Sequence, residues 1–283
     1  MTVSARRGWA LDRVAGWLRS GHPALVVTGS AGTGKSTLIR QLMTTRTGAA
    51  VHAVHRCRGP VWASTDPVRV LAGIAGRLTG SVPGYGIVPA HLEHDEWDGD
   101  PPAARRAVRA VLDSPSPSTA FHAVLSLPFA SPAIGPAVVV VDGLDEAPVG
   151  QRPAGLVDLF AARLGTDLPG VRLVLTVRSG PGAARLSTAE VIDLDRDRPA
   201  DCAEIRRYLD RFGALTRAER TAIAAAAAGC PLYAEVAVRL HTAGVRVAGD
   251  PPPGLDALYG YALAAVGDPD SLPRLLQIGR AHV

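Results

Sequence analysis

Residues 24–43 confine this chain to few folds: ALVVT, then GSAGTGKST, then LIRQLM. The short apolar run Ala24–Thr28 predicts a strand covered on both faces. Leu38, Ile39 and Leu42 recur at helical spacing and predict a helix over Lys35–Met43. Between strand and helix, Gly29, Gly32 and Gly34 permit a backbone path on which successive N–H groups turn inward as an anion nest. The helix that follows adds the partial positive charge of its N-terminus. Every basic residue in the chain is arginine except Lys35, which stands in this loop. Together with abundant Ala, Gly, Pro and Val, that bias reads as coding drift in a GC-rich genome. Arginine replaces a surface lysine with little penalty, but not where a compact ammonium must reach between phosphates.

Gly29–Ser36 satisfies the pattern G-x-x-x-x-G-K-[ST] in its required strand–loop–helix context. The nucleotide-binding candidates are therefore Gly29, Ser30, Ala31, Gly32, Thr33, Gly34, Lys35, Ser36 and Thr37. Lys35 is expected to reach the β- and γ-phosphates, Ser36 to ligate Mg²⁺ through its hydroxyl, and Thr37 to lie near the α-phosphate. The segment PAVVVVDGLDEA (Pro136–Ala147) supplies a second half. An acidic residue that ends a buried strand holds Mg²⁺ directly or through water, which points to Asp142. Asp145 and Glu146 follow where a carboxylate can orient and deprotonate an attacking water. Residue type and spacing do not distinguish the two.

Strand and helix patterns alternate through the first two thirds of the chain. Predicted helices are Ala5–Arg19, a Pro-opened helix from Asp66 to Leu78, Ala103–Leu112, Thr119–Leu127 and Leu156–Leu164. Predicted strands, besides Ala24–Thr28, are Val51–Cys57, Ala137–Val141, Val171–Val177 and Glu190–Leu194. That alternation predicts an α/β fold: a doubly wound parallel sheet forming a P-loop NTPase core. Past Asp197 the pattern turns wholly helical, over Ala200–Arg211, Arg217–Ala228, Pro231–His241 and Leu255–Val266, and predicts a small all-helical domain. The expected organisation is an N-terminal helix over 1–22, the core over 23–196, a helical lid over 197–270 and a tail over 271–283. Gly80–Pro102, rich in Gly, Pro and acidic residues, is expected to be a surface insertion. Within it, HLEHDEWDGD (His91–Asp100) reads as a solvated loop. His52, His55 and Cys57 lie on one predicted strand without a fourth ligand near in sequence, so packing explains them better than a metal.

These motifs resemble the NACHT and related STAND-class ATPases, signal-transducing switches within the broader AAA+-like group. DGLDEA after four valines, with GSAGTGKST upstream, carries the resemblance. LVLTVRSG (Leu173–Gly180) resembles the family strand that ends in a Thr-x-Arg sensor, which implies a γ-phosphate contact for Arg178. GCPLYAEVAVRL (Gly229–Leu240) resembles the helical-domain segment whose proline packs near the adenine, here Pro231. PPGLDALYGYAL (Pro252–Leu263) is similar to the segment leading into a winged helix. Two departures stand out: ARRGW replaces the family's Gly-Arg-Glu entry, which puts an adenine-side role for Arg6 or Arg7 in doubt, and no winged helix follows. The resemblance implies ATP and ADP as ligands with Mg²⁺ and slow Mg-dependent hydrolysis. It also implies protein partners or self-assembly through C-terminal domains beyond residue 283. An origin-recognition-like AAA+ protein acting on DNA is the alternative, but it needs a basic winged helix that no segment here resembles. A metabolic kinase would close an arginine-rich lid over a second substrate, where this chain has its Gly-x-Pro segment.

A net charge of +4 with arginines scattered along the chain is a weak sign of nucleic-acid binding. No apolar run approaches the roughly 20 residues needed to cross a bilayer. Three widely spaced cysteines, Cys57, Cys202 and Cys230, fit free thiols in a reducing compartment, and the expected location is cytoplasmic. The final residues Ile278–Val283 spell the translation of a common sequencing-library adapter, so the tail is expected to be artefactual and the chain a C-terminally truncated piece.

Overall fold

The computed structural model describes residues 7–59, 61–85, 109–146, 155–164, 168–196, 198–245, 247 and 251–265. His91–Asp100, most of the Gly80–Pro102 insertion, the first half of the Ala103–Leu112 helix and the tail at 271–283 lie outside them.

Five strands form one parallel sheet: β1 (Ala24–Gly29), β2 (Ala53–Arg56), β3 (Ala137–Asp142), β4 (Val171–Arg178) and β5 (Glu190–Asp193), in the order β2-β3-β4-β1-β5. β1 and β3 are buried along their whole lengths, which is why they read as unbroken apolar runs rather than as an alternation. In the ladders, Ala53 faces Val139 and Val139 faces Leu173, so β3 lies between β2 and β4. The chain passes from β1 to the far side of the sheet and returns past β1 only at β5. Such a reversal opens a crevice at the carboxyl ends of the strands, where α/β proteins of this kind bind ligands.

The chain divides into two compact units, one of residues 13–28 and 42–192, the other of residues 1–12, 29–41 and 193–283. The first holds the sheet core. Val139, Val141, Leu173 and Leu175 pack with Val70, Leu71, Ile74 and Leu78 of a helix (Pro67–Ser81) and with Phe121 and Phe160. With only 5% aromatic residues, small aliphatic chains fill this space, each fully buried one contributing about 1.5–3 kcal/mol. The Pro67–Ser81 helix starts as its sequence dictates: the Asp66 carboxylate accepts from the Arg69 N–H, and Pro67 occupies the first helical position. The predicted helix over Thr119–Leu127 is shorter and interrupted. An α-helix spans Pro117–Phe121 and a wider π-turn follows over His122–Ser126, closed by Leu127 N–H to the His122 carbonyl at 2.8 Å.

The second unit contains the glycine loop and the C-terminal helices Arg198–Leu209, Arg217–Ala227, Pro231–Thr242 and Leu255–Ala265. Ile205, Leu209, Ile223, Val236, Leu240 and Leu258 form its core. Pro231–Thr242 is the central helix, buried at Tyr233, Ala234, Val236, Ala237, Val238 and Leu240. Thr216 and Glu219 cap Arg217–Ala227 reciprocally, satisfying two N–H groups that the helix leaves open. No helix among the described residues is long and apolar enough to cross a membrane.

Candidate functional site

Several peptides of the glycine loop are held by named partners. The Gly29 and Ser30 carbonyls accept from Lys35 Nζ at 2.6 and 3.0 Å, which folds the ammonium back over its own loop. On the other side of the Gly29–Ser30 peptide, the Ser30 N–H donates to the Asp195 carboxylate at 3.0 and 3.1 Å, and the Ser30 hydroxyl donates to it as well. Gly32 and Gly34 have φ values of 77° and 91°, where a side chain would be strained. Gly32 has a second reason to be glycine. A Cβ there would meet Cys230 Sγ at 3.0 Å, Leu255 Cδ2 at 3.2 Å and Leu232 Cβ at 3.3 Å.

The Gly229–Leu232 segment therefore lies directly on the loop. The Leu232 N–H and the Cys230 thiol both donate to the Gly32 carbonyl at 3.4 Å. Pro231 Cγ lies 3.8 Å from where a Cβ on Gly34 would stand. Burial among these groups pushes the Cys230 thiol above its ordinary pKa, so it stays protonated and able to donate. Ala31 and Ser36 are exposed, and the Thr37 hydroxyl accepts from Arg40 at 3.0 Å. Arg7 is fully buried against the same loop. Its guanidinium donates to the Thr33 carbonyl and pairs with Asp201.

The acidic group is built in the sheet unit. Asp142 ends β3 and is only 1% exposed. Thr176 on β4 donates its hydroxyl to Asp142 Oδ1 at 2.7 Å while accepting from the Gly143 N–H at 2.7 Å. Arg56 Nε donates to Asp142 Oδ2 at 3.1 Å. The carboxylate is thus oriented from two sides. Gly143, at φ 86°, turns the chain into a short 3₁₀ turn over Leu144–Glu146. Arg178 at the end of β4 meets both carboxylates of that turn. Its N–H and Nε each reach Asp145 at 2.9 Å, and Nη2 reaches Glu146 Oε1 at 3.2 Å.

Asp142, Asp145, Glu146 and Arg178 are thus gathered in one unit, and Gly29–Thr37 and Pro231 in the other. Sequence reasoning missed Asp195 and Arg56, placed Thr176 in the Thr-x-Arg motif without giving it a role, and left Arg7 in doubt. A hydroxyl within an otherwise apolar strand was a usable signal for Thr176; Asp195 and Arg56 carried none. His52, His55 and Cys57 do not converge. His52 Nδ1 accepts from the Val138 N–H, His55 Nε2 donates to the Ser64 carbonyl, and Cys57 is buried. Among the described residues no group of three or more His, Cys, Asp or Glu is assembled for a metal ion.

A glycine-rich loop closed by Lys-Ser after the first strand, and an aspartate ending a buried neighbour of the central strand in a parallel sheet, define a P-loop ATPase. The chain belongs to the AAA ATPase domain family, which matches residues 6–175. Among solved structures it is similar to a Walker-type ATPase of Pyrococcus abyssi at 13% identity and a TM-score of 0.52, covering 99% of this chain and 78% of that one. At that identity the likeness concerns the fold alone. No curated protein matches the sequence.

Proposed function

We propose that this chain is an ATP-driven switch of the NACHT/STAND class, in which residues 23–196 bind and hydrolyse nucleotide and helices within 197–270 report its state. The observation that carries this reading is the seating of Gly229–Leu232 on the Gly32 carbonyl. Helices that touch the phosphate-binding loop itself respond to whatever the loop binds. The γ-phosphate would favour one arrangement of loop and helices, and its loss would release that arrangement.

The donor set suits Mg²⁺, a hard cation that takes oxygen ligands. The resemblance to this class implies the Ser36 hydroxyl and Asp142 as its ligands, and within the sheet unit Thr176 fixes which Asp142 oxygen is presented. When bound, the ion neutralises charge developing on the transferred phosphoryl group. Lys35 would turn from the Gly29 and Ser30 carbonyls to the β- and γ-phosphates, and Pro231 would pack at the adenine side. Of the two following carboxylates, Glu146 is the better candidate base. Both oxygens of Asp145 are engaged by Arg178, whereas Glu146 is bound through one oxygen and is the more exposed at 35% against 20%. The resemblance implies a γ-phosphate contact for Arg178, and a contact that drew Arg178 from this pair would free Glu146 to act as base.

Lys35→Ala tests the reading. It removes the only ammonium in the loop, and calorimetry should find ATP binding abolished with or without Mg²⁺. Unchanged affinity would end the P-loop assignment for this chain.

A further inference from the structure

We propose that Arg7 is a positioning residue for the phosphate-binding loop: by holding the Thr33 carbonyl outward it turns the Gly34 N–H into the nest, and through Asp201 it ties that orientation to the first C-terminal helix. The proposal rests on the P-loop reading above.

A trans peptide is planar, with its C=O and N–H on opposite sides. Whatever fixes the Thr33 oxygen therefore fixes the Gly34 hydrogen. Arg7 Nη2 takes that oxygen, and Nη1 of the same guanidinium takes Asp201 Oδ1. Nε lies 3.3 Å from where a Cβ on Gly34 would stand, so the planar group is laid along the back of the loop. At Gly34 a φ of 91° leaves a flexible residue whose N–H direction needs an outside constraint. The neighbouring Gly32–Thr33 peptide is held from outside in the same way, by the Leu232 N–H and the Cys230 thiol on the Gly32 carbonyl.

Arg7 is itself anchored along its length. Its N–H donates to Gln41 Oε1 at 2.9 Å, and its carbonyl accepts from the Leu11 N–H at 2.9 Å. The following residues point to the same helix: the Gly8 N–H donates to Glu204 Oε1 at 2.7 Å, and Trp9 Nε1 donates to Asp201 Oδ1 at 3.0 Å. Burial draws the guanidinium pKa down to about 10, with the nearby Glu204 pulling the other way, so the side chain remains charged at neutral pH. A full charge, 1% exposed, is retained at the loop although a buried ion pair is weak evidence for stability as such. A fork of fixed geometry can serve a carbonyl and a carboxylate at once, and lysine's single ammonium serves that pair poorly.

The experiment compares wild type, Lys35→Ala, Arg7→Met, Asp201→Leu, the Arg7→Met/Asp201→Leu double variant and Arg7→Lys, each measured for melting temperature and for Mg·ADP affinity. Either single apolar change leaves a buried charge without its partner and should lower the melting temperature. The double variant removes both charges and should melt near the wild type, yet bind Mg·ADP about tenfold more weakly because the Thr33 carbonyl is no longer held. Arg7→Lys should stay folded and show a similar loss. A merely structural ion pair predicts that affinity recovers along with melting temperature in the double variant. Wild-type affinity in the double variant, or in Arg7→Lys should the double variant not fold, overturns the proposal. Binding by wild type that Lys35→Ala does not weaken would instead sink the P-loop reading and this proposal with it.

Discussion

The two carboxylates after Asp142 differ in what they already hold, and this makes them separable by mutation. Glu146→Gln should leave ATP affinity near the wild-type value and slow hydrolysis at least about tenfold, a loss of more than about 1.4 kcal/mol in transition-state stabilisation. Asp145→Asn weakens the anchor on Arg178 and should act mainly on the distinction between ATP and ADP. Single-turnover hydrolysis beside calorimetry separates these outcomes, and a Glu146→Gln variant that hydrolyses ATP at the wild-type rate removes Glu146 from the role of base. Beneath this turn, burial pushes the Cys57 thiol up to about 12, and Asp142, Glu146 and Asp145 reinforce the shift by disfavouring a thiolate among their own charges. The folded pKa lies above the ordinary value of 9, so this contribution to stability is complete below about pH 9 and is lost as pH rises toward 12. Urea titrations at pH 8 and pH 10.5 should show a smaller alkaline loss in Cys57→Ala than in wild type. Equal losses would mean that Cys57 is not a source of the alkaline sensitivity.

Elements announced themselves in proportion to how locally their cause lies. β1 and β3 were legible because strands buried on both faces leave no polar alternation to misread. The Pro67–Ser81 and Arg217–Ala227 helices carry their start signals in adjacent residues, Asp66-Pro67 and Thr216 with Glu219. The π-turn at His122–Ser126 had no such signal, since a single wider hydrogen bond leaves the apolar spacing nearly unchanged. Arg7 was illegible for a different reason. Its partners Thr33 and Asp201 lie 26 and 194 residues away, and in a chain that uses arginine almost everywhere the residue type carries no information. Where the cause is local, the energy is also local. Thr216→Ala removes one side of the reciprocal cap and should lower stability by about 1 kcal/mol, seen as a reduced urea midpoint at unchanged slope. No measurable shift would show that water replaces the cap at no net cost.

At the scale of the whole molecule, the glycine loop is grouped with helices that begin more than 150 residues after it, and its Gly32 carbonyl is bonded to Leu232. Opening a hydrogen-bonded segment is what amide exchange measures, and a ligand that binds only the closed form slows that opening by mass action. Nucleotide at the loop should therefore slow exchange within residues 229–242 as well as within 29–41. At a nucleotide concentration one hundred times its dissociation constant, the stabilisation available to segments that open only with the site is about 2.7 kcal/mol, or about a hundredfold in exchange rate. The Arg217–Ala227 helix, stabilised by its own cap and its buried Ile223 and Ala224 rather than by the hydrogen bond that seats Leu232 on the glycine loop, should show a weaker response. Mass-spectrometric exchange of the intact chain, with and without Mg·ADP, makes the comparison, and Lys35→Ala should remove the difference. Protection confined to residues 29–41 would mean that the helices rest on the loop without sensing its ligand, leaving a nucleotide-binding core with no means of reporting its state.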